Sequence, residues 1–128
     1  VTVTLWAATS GTDTDFTAKL VDVCEDGCAR NLTDGIIRAR YRDSMSNPTP
    51  VEPGKAYPYT IDLWATSNVF KAGHRIRLEI SSSNFPRFDR NTNTGELIAG
   101  DSELRPAMQT VLHSSQYPSH VTLPIVPR

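Results

Sequence analysis

His74-Arg75-Ile76-Arg77-Leu78-Glu79-Ile80 runs straight into Ser81-Ser82-Ser83-Asn84-Phe85-Pro86-Arg87-Phe88-Asp89-Arg90-Asn91, and the contrast between the two stretches decides how the chain is read. In the first, Ile76, Leu78 and Ile80 alternate with Arg75, Arg77 and Glu79, the period of a strand with one buried face. In the second the alternation stops, and phenylalanines, a proline, arginines and an aspartate crowd into residues 85–90. Loops are ordinarily polar. One that carries apolar rings with charged groups beside them is expected to dock on something.

The same alternation extends outward in both directions. Residues 1–7 set Val1, Val3 and Leu5 against Thr2, Thr4 and Trp6. Residues 16–23 place Phe16, Ala18 and Leu20 on one face and Val21 and Val23 on the other. Residues 29–33 read as a return strand, and residues 36–41 as another, with Ile37, Ala39 and Tyr41 opposite Arg38, Arg40 and Arg42. Tyr57, Tyr59, Ile61 and Leu63 line a further strand, as do Met108, Thr110 and Leu112. Val121, Leu123 and Ile125 line the last, where Pro124 suits an edge or an exit. Turn chemistry separates the runs at Gly11-Thr12-Asp13, Asp26-Gly27, Asp34-Gly35, Pro53-Gly54, Ala72-Gly73 and Thr94-Gly95. Only residues 67–70 suit a turn of helix. About eight short strands without a helical stripe predict an all-β, two-sheet β-sandwich of jelly-roll type. Two long connections, 43–56 and 84–106, interrupt the pattern, and loops of that length are usually functional or flexible.

The 128 residues suffice for one domain, spanning 1–128, with a core of its own. A net charge of −1 supplies no field to gather nucleic acid or an anionic membrane surface, so neither is expected as a partner. No apolar run approaches the ~20 residues of a membrane helix. Because the chain opens on Val1 inside strand alternation, it is expected to be a fragment of a longer polypeptide. Cys24-Glu25-Asp26-Gly27-Cys28 lacks the second ligand pair of a zinc site. Glu25-Asp26-Gly27 suits a three-residue hairpin loop with Gly27 left-handed, which sets Cys24 opposite Cys28. A disulfide and a pair of free thiols are both compatible with that placement.

Catalytic chemistry is not legible. His74, His113 and His120 sit in no recognisable arrangement with a nucleophile and an acid, and the nucleophile elbow G-x-S-x-G is missing. No catalytic residue and no cofactor is expected. Asp13 and Asp15 read as turn formers, with calcium as the lesser alternative, and Asp89-x-Asn91-x-Asn93 only faintly echoes a calcium loop, so no metal is expected. Arg38, Arg40 and Arg42 read as a solvated basic row balanced by Asp43, Asp62 and Glu79. Trp6 and Trp64 fall out of phase with their strands, and exposed rings there would suit a carbohydrate- or ligand-binding module.

Several blocks together carry a resemblance. They are residues 12–23 (Thr12-Asp13-Thr14-Asp15-Phe16 onward), Asn31-Leu32-Thr33-Asp34-Gly35, Arg38-Ala39-Arg40-Tyr41-Arg42, Pro53-Gly54-Lys55, Phe70-Lys71-Ala72-Gly73-His74-Arg75-Ile76-Arg77 and residues 81–91. In this order they resemble the C-terminal domain of the X-Pro dipeptidyl-peptidase and cocaine-esterase-like serine hydrolases. The resemblance implies a galactose-binding-like jelly roll, lacking its first strands here, beside an α/β-hydrolase domain of the same polypeptide that carries the catalytic triad. None of the triad maps onto this chain. The implied function is a non-catalytic accessory domain that shapes substrate access, with Asn84, Phe85, Pro86, Arg87, Phe88, Asp89, Arg90 and Asn91 as the docking loop. Phe85 and Phe88 would pack on the hydrolase domain, and Arg87, Asp89 and Arg90 would hold the loop through paired hydrogen bonds.

Overall fold

The computed structural model describes residues 1–96, 100 and 102–127. Its strands are β1 (Thr2–Thr9), β2 (Asp15–Val23), β3 (Ala29–Arg38), β4 (Tyr57–Asp62), β5 (Arg75–Ser81), β6 (Gln109–Leu112) and β7 (His120–Thr122). All pairings are antiparallel. One sheet runs β4–β1–β6, with β7 also paired to β1; the other runs β3–β2–β5. The chain is the two-sheet β-sandwich that the alternation predicts.

Two predicted strands, 29–33 and 36–41, are one continuous strand, and the expected Asp34-Gly35 turn lies inside it. Leu20 opposes Thr33 while Val21 opposes Asn31, so Leu32 is the extra residue of a bulge that bends β3 without ending it. Gly35 serves close approach rather than a turn. A Cβ there would run into the Asp62 carbonyl oxygen and lie 3.0 Å from Leu63 Cδ2. The Thr33 hydroxyl donates to the Leu63 carbonyl at the same place. One flank of the sandwich is thus closed by β3 against the end of β4. The tail of the predicted strand 36–41 is instead a 3-10 turn, Ala39–Tyr41. Residues 67–70 form no helical turn; Ser67, Asn68 and β-branched Val69 all disfavour one.

The core lies between β1 and β2, the central strands of the two sheets. Phe16 and Tyr59 meet there with ring centroids 4.9 Å apart, packed among Leu5, Leu20, Ile61 and Leu63. β2 is buried on both faces: Phe16, Ala18 and Leu20 face the core, while Asp15, Thr17, Val21 and Val23 on the other face are buried too. That second burial positions the site described below. β6 and β7 share one edge of β1, and residues 113–119 loop out between them. Ser119 closes the gap, accepting the Trp6 N–H at 2.8 Å and donating to the Leu112 carbonyl. Tyr117 from this loop covers Trp6, with ring centroids 5.4 Å apart.

Gly35→Ala is expected to cost about 1–3 kcal/mol by forcing the two sheets apart at the closed flank, read as a lower urea midpoint with an unchanged slope. The Tyr59 hydroxyl is buried, with no hydrogen-bond partner among the described residues. Burial pushes its pKa up to about 12 against the pull of the Arg42 charge. In the unfolded chain the phenol ionises near 10. Between about pH 10 and about pH 12 only the unfolded state releases this proton, so stability falls as pH rises through that window. Tyr59→Phe is expected to remove that part of the slope in urea melts taken across the window.

Candidate docking site

Asp13 and Asp15 lie two residues apart at the entry to β2, so their side chains share one face of the chain. Arg38 and Arg40 lie two apart where the neighbouring β3 ends, and Arg38 is the cross-strand partner of Asp15. The pairs therefore meet. Arg38 grips Asp15 with a fork: Nε donates to Oδ1 at 2.8 Å and Nη2 to Oδ2 at 3.0 Å. Arg40 Nε donates to Asp13 Oδ2 at 2.7 Å, and the Arg40 backbone N–H donates to Asp13 Oδ1 at 3.0 Å. Both aspartates are only 1% exposed. The hydrogen bond to Asp15 raises the Arg38 guanidinium further above its ordinary pKa, against the opposing effect of burial. Asn91 completes the cluster from the far end of the loop, its Nδ2 donating to Asp13 Oδ2 at 3.0 Å and to Asp15 Oδ1 at 2.8 Å. An amide is suited to this place, because it gives each carboxylate a donor without unbalancing two anions already matched by two cations.

This arrangement corrects several readings of the sequence. Arg38 and Arg40 are not a solvated row, because each is spent on a buried carboxylate. Arg42 leaves the row altogether: Nη1 donates to the Thr49 carbonyl at 2.7 Å, and the guanidinium stands 4.4 Å over the Tyr57 ring. It thereby pins the connection 43–56. Asp13 and Asp15 are not free turn formers, since N–H donors from Arg38, Arg40 and Asn91 reach their oxygens. Asn93 donates its backbone N–H to Asn91 Oδ1 at 2.9 Å and its Nδ2 to the Arg105 carbonyl at 2.9 Å, so these two asparagines serve to hold the chain. His74 closes the Ala72-Gly73 turn, its N–H donating to the Lys71 carbonyl at 3.1 Å, and its Nδ1 also stands 2.8 Å from Oδ1 of buried Asp22. The other histidines stand elsewhere, His113 exposed and His120 donating from Nδ1 to the Pro118 carbonyl at 2.7 Å.

The loop itself is held at two ends. Near its start, Asp34 of β3 accepts Asn84 Nδ2 and Arg87 Nε, each at 2.9 Å. The Arg87 N–H closes a turn onto the Asn84 carbonyl at 2.9 Å, around a cis Phe85–Pro86 peptide. At its end stands the Asn91 anchor. Between them Phe85 is 61% exposed, with the Arg90 guanidinium 5.1 Å over its ring. Phe88 is half-buried beneath Arg87, 5.4 Å from its guanidinium carbon. Of the loop's three charged residues, only Arg87 forms the expected paired hydrogen bond. Arg90 stacks on Phe85 instead, and exposed Asp89 has no partner among the described residues. The anchors Asp13, Asp15 and Asp34 were missed as site residues. For Asp13 and Asp15 the signal, two acids at i, i+2 facing two arginines at i, i+2, emerges only once β3 runs unbroken from Ala29 to Arg38. Cys24 and Cys28 are free thiols at the tip of the β2–β3 hairpin, away from this loop.

A fixed loop with an outward ring and a rim of charge has the anatomy of an interface core rather than of a reaction centre. The fold is that of a β-sandwich domain with one fixed, ring-bearing loop at its surface. The chain belongs to the family of the X-Pro dipeptidyl-peptidase C-terminal non-catalytic domain, which residues 1–122 match. It is 51% identical over its whole length to a cocaine esterase of Rhodococcus sp. (strain MB1 Bresler), of which it spans 23%. An α-amino acid ester hydrolase superposes on 92% of the chain with a TM-score of 0.85 at 32% identity, over 21% of its own length. An aminopeptidase from a marine sediment archaeon (Thaumarchaeota archaeon) superposes on 92% with a TM-score of 0.86 at 35% identity, again over 21% of its length.

Asn91→Ala is expected to cost about 1.5–3 kcal/mol, the worth of hydrogen bonds to charged groups. Asn91→Asp is expected to cost more, because it adds a buried carboxylate with no cation left to match it. Urea denaturation of the two variants beside the parent chain checks both the sign and the order.

Proposed function

We propose that this chain packs on the α/β-hydrolase domain of the same, longer polypeptide and shapes access of substrate to that domain's active site. On this reading it forms part of a jelly-roll domain completed by further strands of that polypeptide, and residues 84–91 are its docking loop. The supporting observation is the loop's construction. Two separate anchors on buried aspartates hold a segment that leaves the Phe85 ring 61% exposed, and a solvent-facing loop has no need of such fixation. The relatives add support, because in each a stretch like this one is about a quarter or less of a chain named for hydrolysis. The parent polypeptide is read as a serine hydrolase acting on esters or on amide bonds at a chain end. The chemistry belongs to the other domain, and this one supplies surface and shape.

An independent carbohydrate- or ligand-binding module is the second reading, and one observation favours it. Trp64 is 72% exposed and held at φ 65, a conformation that costs energy in a bulky residue. A sugar-dependent change in tryptophan fluorescence of the isolated chain, lost in Trp64→Ala, would support that module over the docking reading.

Phe85→Ala separates docking from folding. In the isolated chain it is expected to change stability by no more than about 0.5 kcal/mol, as for an exposed site. In the full-length polypeptide it is expected to weaken the domain contact by about 1–4 kcal/mol, as for a buried aromatic anchor. Ester hydrolysis and thermal inactivation of the full-length variant read the second effect. Equal, small effects in both settings would contradict the docking assignment.

A further inference from the structure

The β2–β3 hairpin ends in a tight loop whose backbone is fully specified. Cys24 N–H donates to the Cys28 carbonyl at 2.8 Å, and Gly27 N–H donates to the Cys24 carbonyl at 3.0 Å. Gly27 takes φ 89, the left-handed position of a three-residue loop with a bulge. Asp26 Oδ1 accepts the Cys28 N–H at 3.0 Å and fixes the far side of the turn. Cys24 and Cys28 therefore face each other across the strand pair, one register step beyond Val23 and Ala29. Directly opposed residues of antiparallel strands stand about 4.5–5.5 Å apart at Cα, inside the roughly 4.4–6.8 Å range that a disulfide bridges. Cys28 is exposed and Cys24 is partly covered. The docking loop uses neither.

We propose that Cys24 and Cys28 form a reversible dithiol–disulfide site whose oxidant is a low-molecular-weight disulfide. Exposed Cys28 reacts first. Its thiolate attacks one sulfur of the small disulfide, that S–S bond breaks, and one small thiolate leaves with its electron pair. Cys24 then attacks the Cys28 sulfur of the mixed disulfide, and the second small thiolate leaves as the Cys24–Cys28 bond forms. Two protein thiols are oxidised, one small disulfide is reduced to two thiols, and the two protons released pass to solvent or to the leaving thiolates. The order of attack follows from exposure. Partial desolvation and the neighbouring Cys28 both raise the Cys24 thiol above its ordinary pKa, which suits it to the second, intramolecular step. Glu25, between the two cysteines, lies against Gly73 in the turn before β5, so closure of the pair tightens a point where the hairpin tip already meets the other edge of its sheet.

The test equilibrates the chain in glutathione buffers running from fully reduced to fully oxidised, quenches with acid, blocks free thiols with N-ethylmaleimide and reads intact mass and linked peptides. The expected result is a passage from two blocked thiols to none, with no glutathione retained and with a peptide pair joined through Cys24 and Cys28. Cys24→Ser is expected to keep one glutathione on Cys28, because the resolving thiol is gone. A peptide of residues 22–30 is expected to need a redox buffer at least about tenfold more oxidising, since only the folded hairpin holds the thiols together. Retained glutathione on the parent chain, disulfide-linked dimers, both thiols still blocked in the most oxidising buffer, or a peptide that closes as readily as the folded chain would each overturn the proposal.

Discussion

Two carboxylates buried side by side at the entry to β2 are the constraint on which the rest of the site depends. Asp13 and Asp15 reach almost no solvent, and an ionised carboxylate taken out of water costs several kcal/mol unless something pairs with it. The chain meets that demand from two directions. Arg38 and Arg40 come from the adjacent strand, where register brings them opposite. Asn91 comes from a segment 76 and 78 residues further along the chain, so satisfying the aspartates also ties that segment down. Removing one member leaves a buried group unsatisfied, which is why such clusters specify a geometry more firmly than an apolar contact of the same size.

The anchoring has a consequence for the surface. With Asn91 held inside and Asn84 and Arg87 held on Asp34, the backbone between them has little freedom. Phe85 stays exposed with Arg90 across its ring, and Phe88 is half-covered by Arg87. The ordering entropy of this loop is thus spent when the domain folds rather than when a partner arrives, the condition under which a small apolar contact contributes most to association. The two-sheet frame supports the loop from beneath. β2 is the central strand of its sheet and is buried on both faces, so the loop sits on a strand held by neighbours on each side.

Strand positions were legible because period-2 alternation is a direct readout of one-sided burial, and it located β1, β2, β4 and β5 to within a few residues. Alternation and turn chemistry mislead where a local signal has a tertiary cause. Asp34-Gly35 reads as a turn, yet glycine is required there by the carbonyl of Asp62 on the other sheet, which no local pattern reveals. Arg38, Arg40 and Arg42 read as a solvated row because their partners lie at the entry to β2 and in the connection 43–56. Gly27 was legible because its left-handed conformation is a local demand of a three-residue loop. The loop's unusual mix of rings and charges was legible from its composition, whereas its anchors required the register of β2 against β3. Family membership was legible because several blocks fell in one order along the chain, and residues 1–122 match that family.

The most direct measurement is the structure of the full-length polypeptide that carries this chain, read at Phe85 and Phe88. The account requires Phe85, 61% exposed here, to become buried against the hydrolase domain, with Asn91 still on Asp13 and Asp15. A full-length structure in which Phe85 remains in solvent, and the hydrolase domain meets some other face of the sandwich, would contradict it.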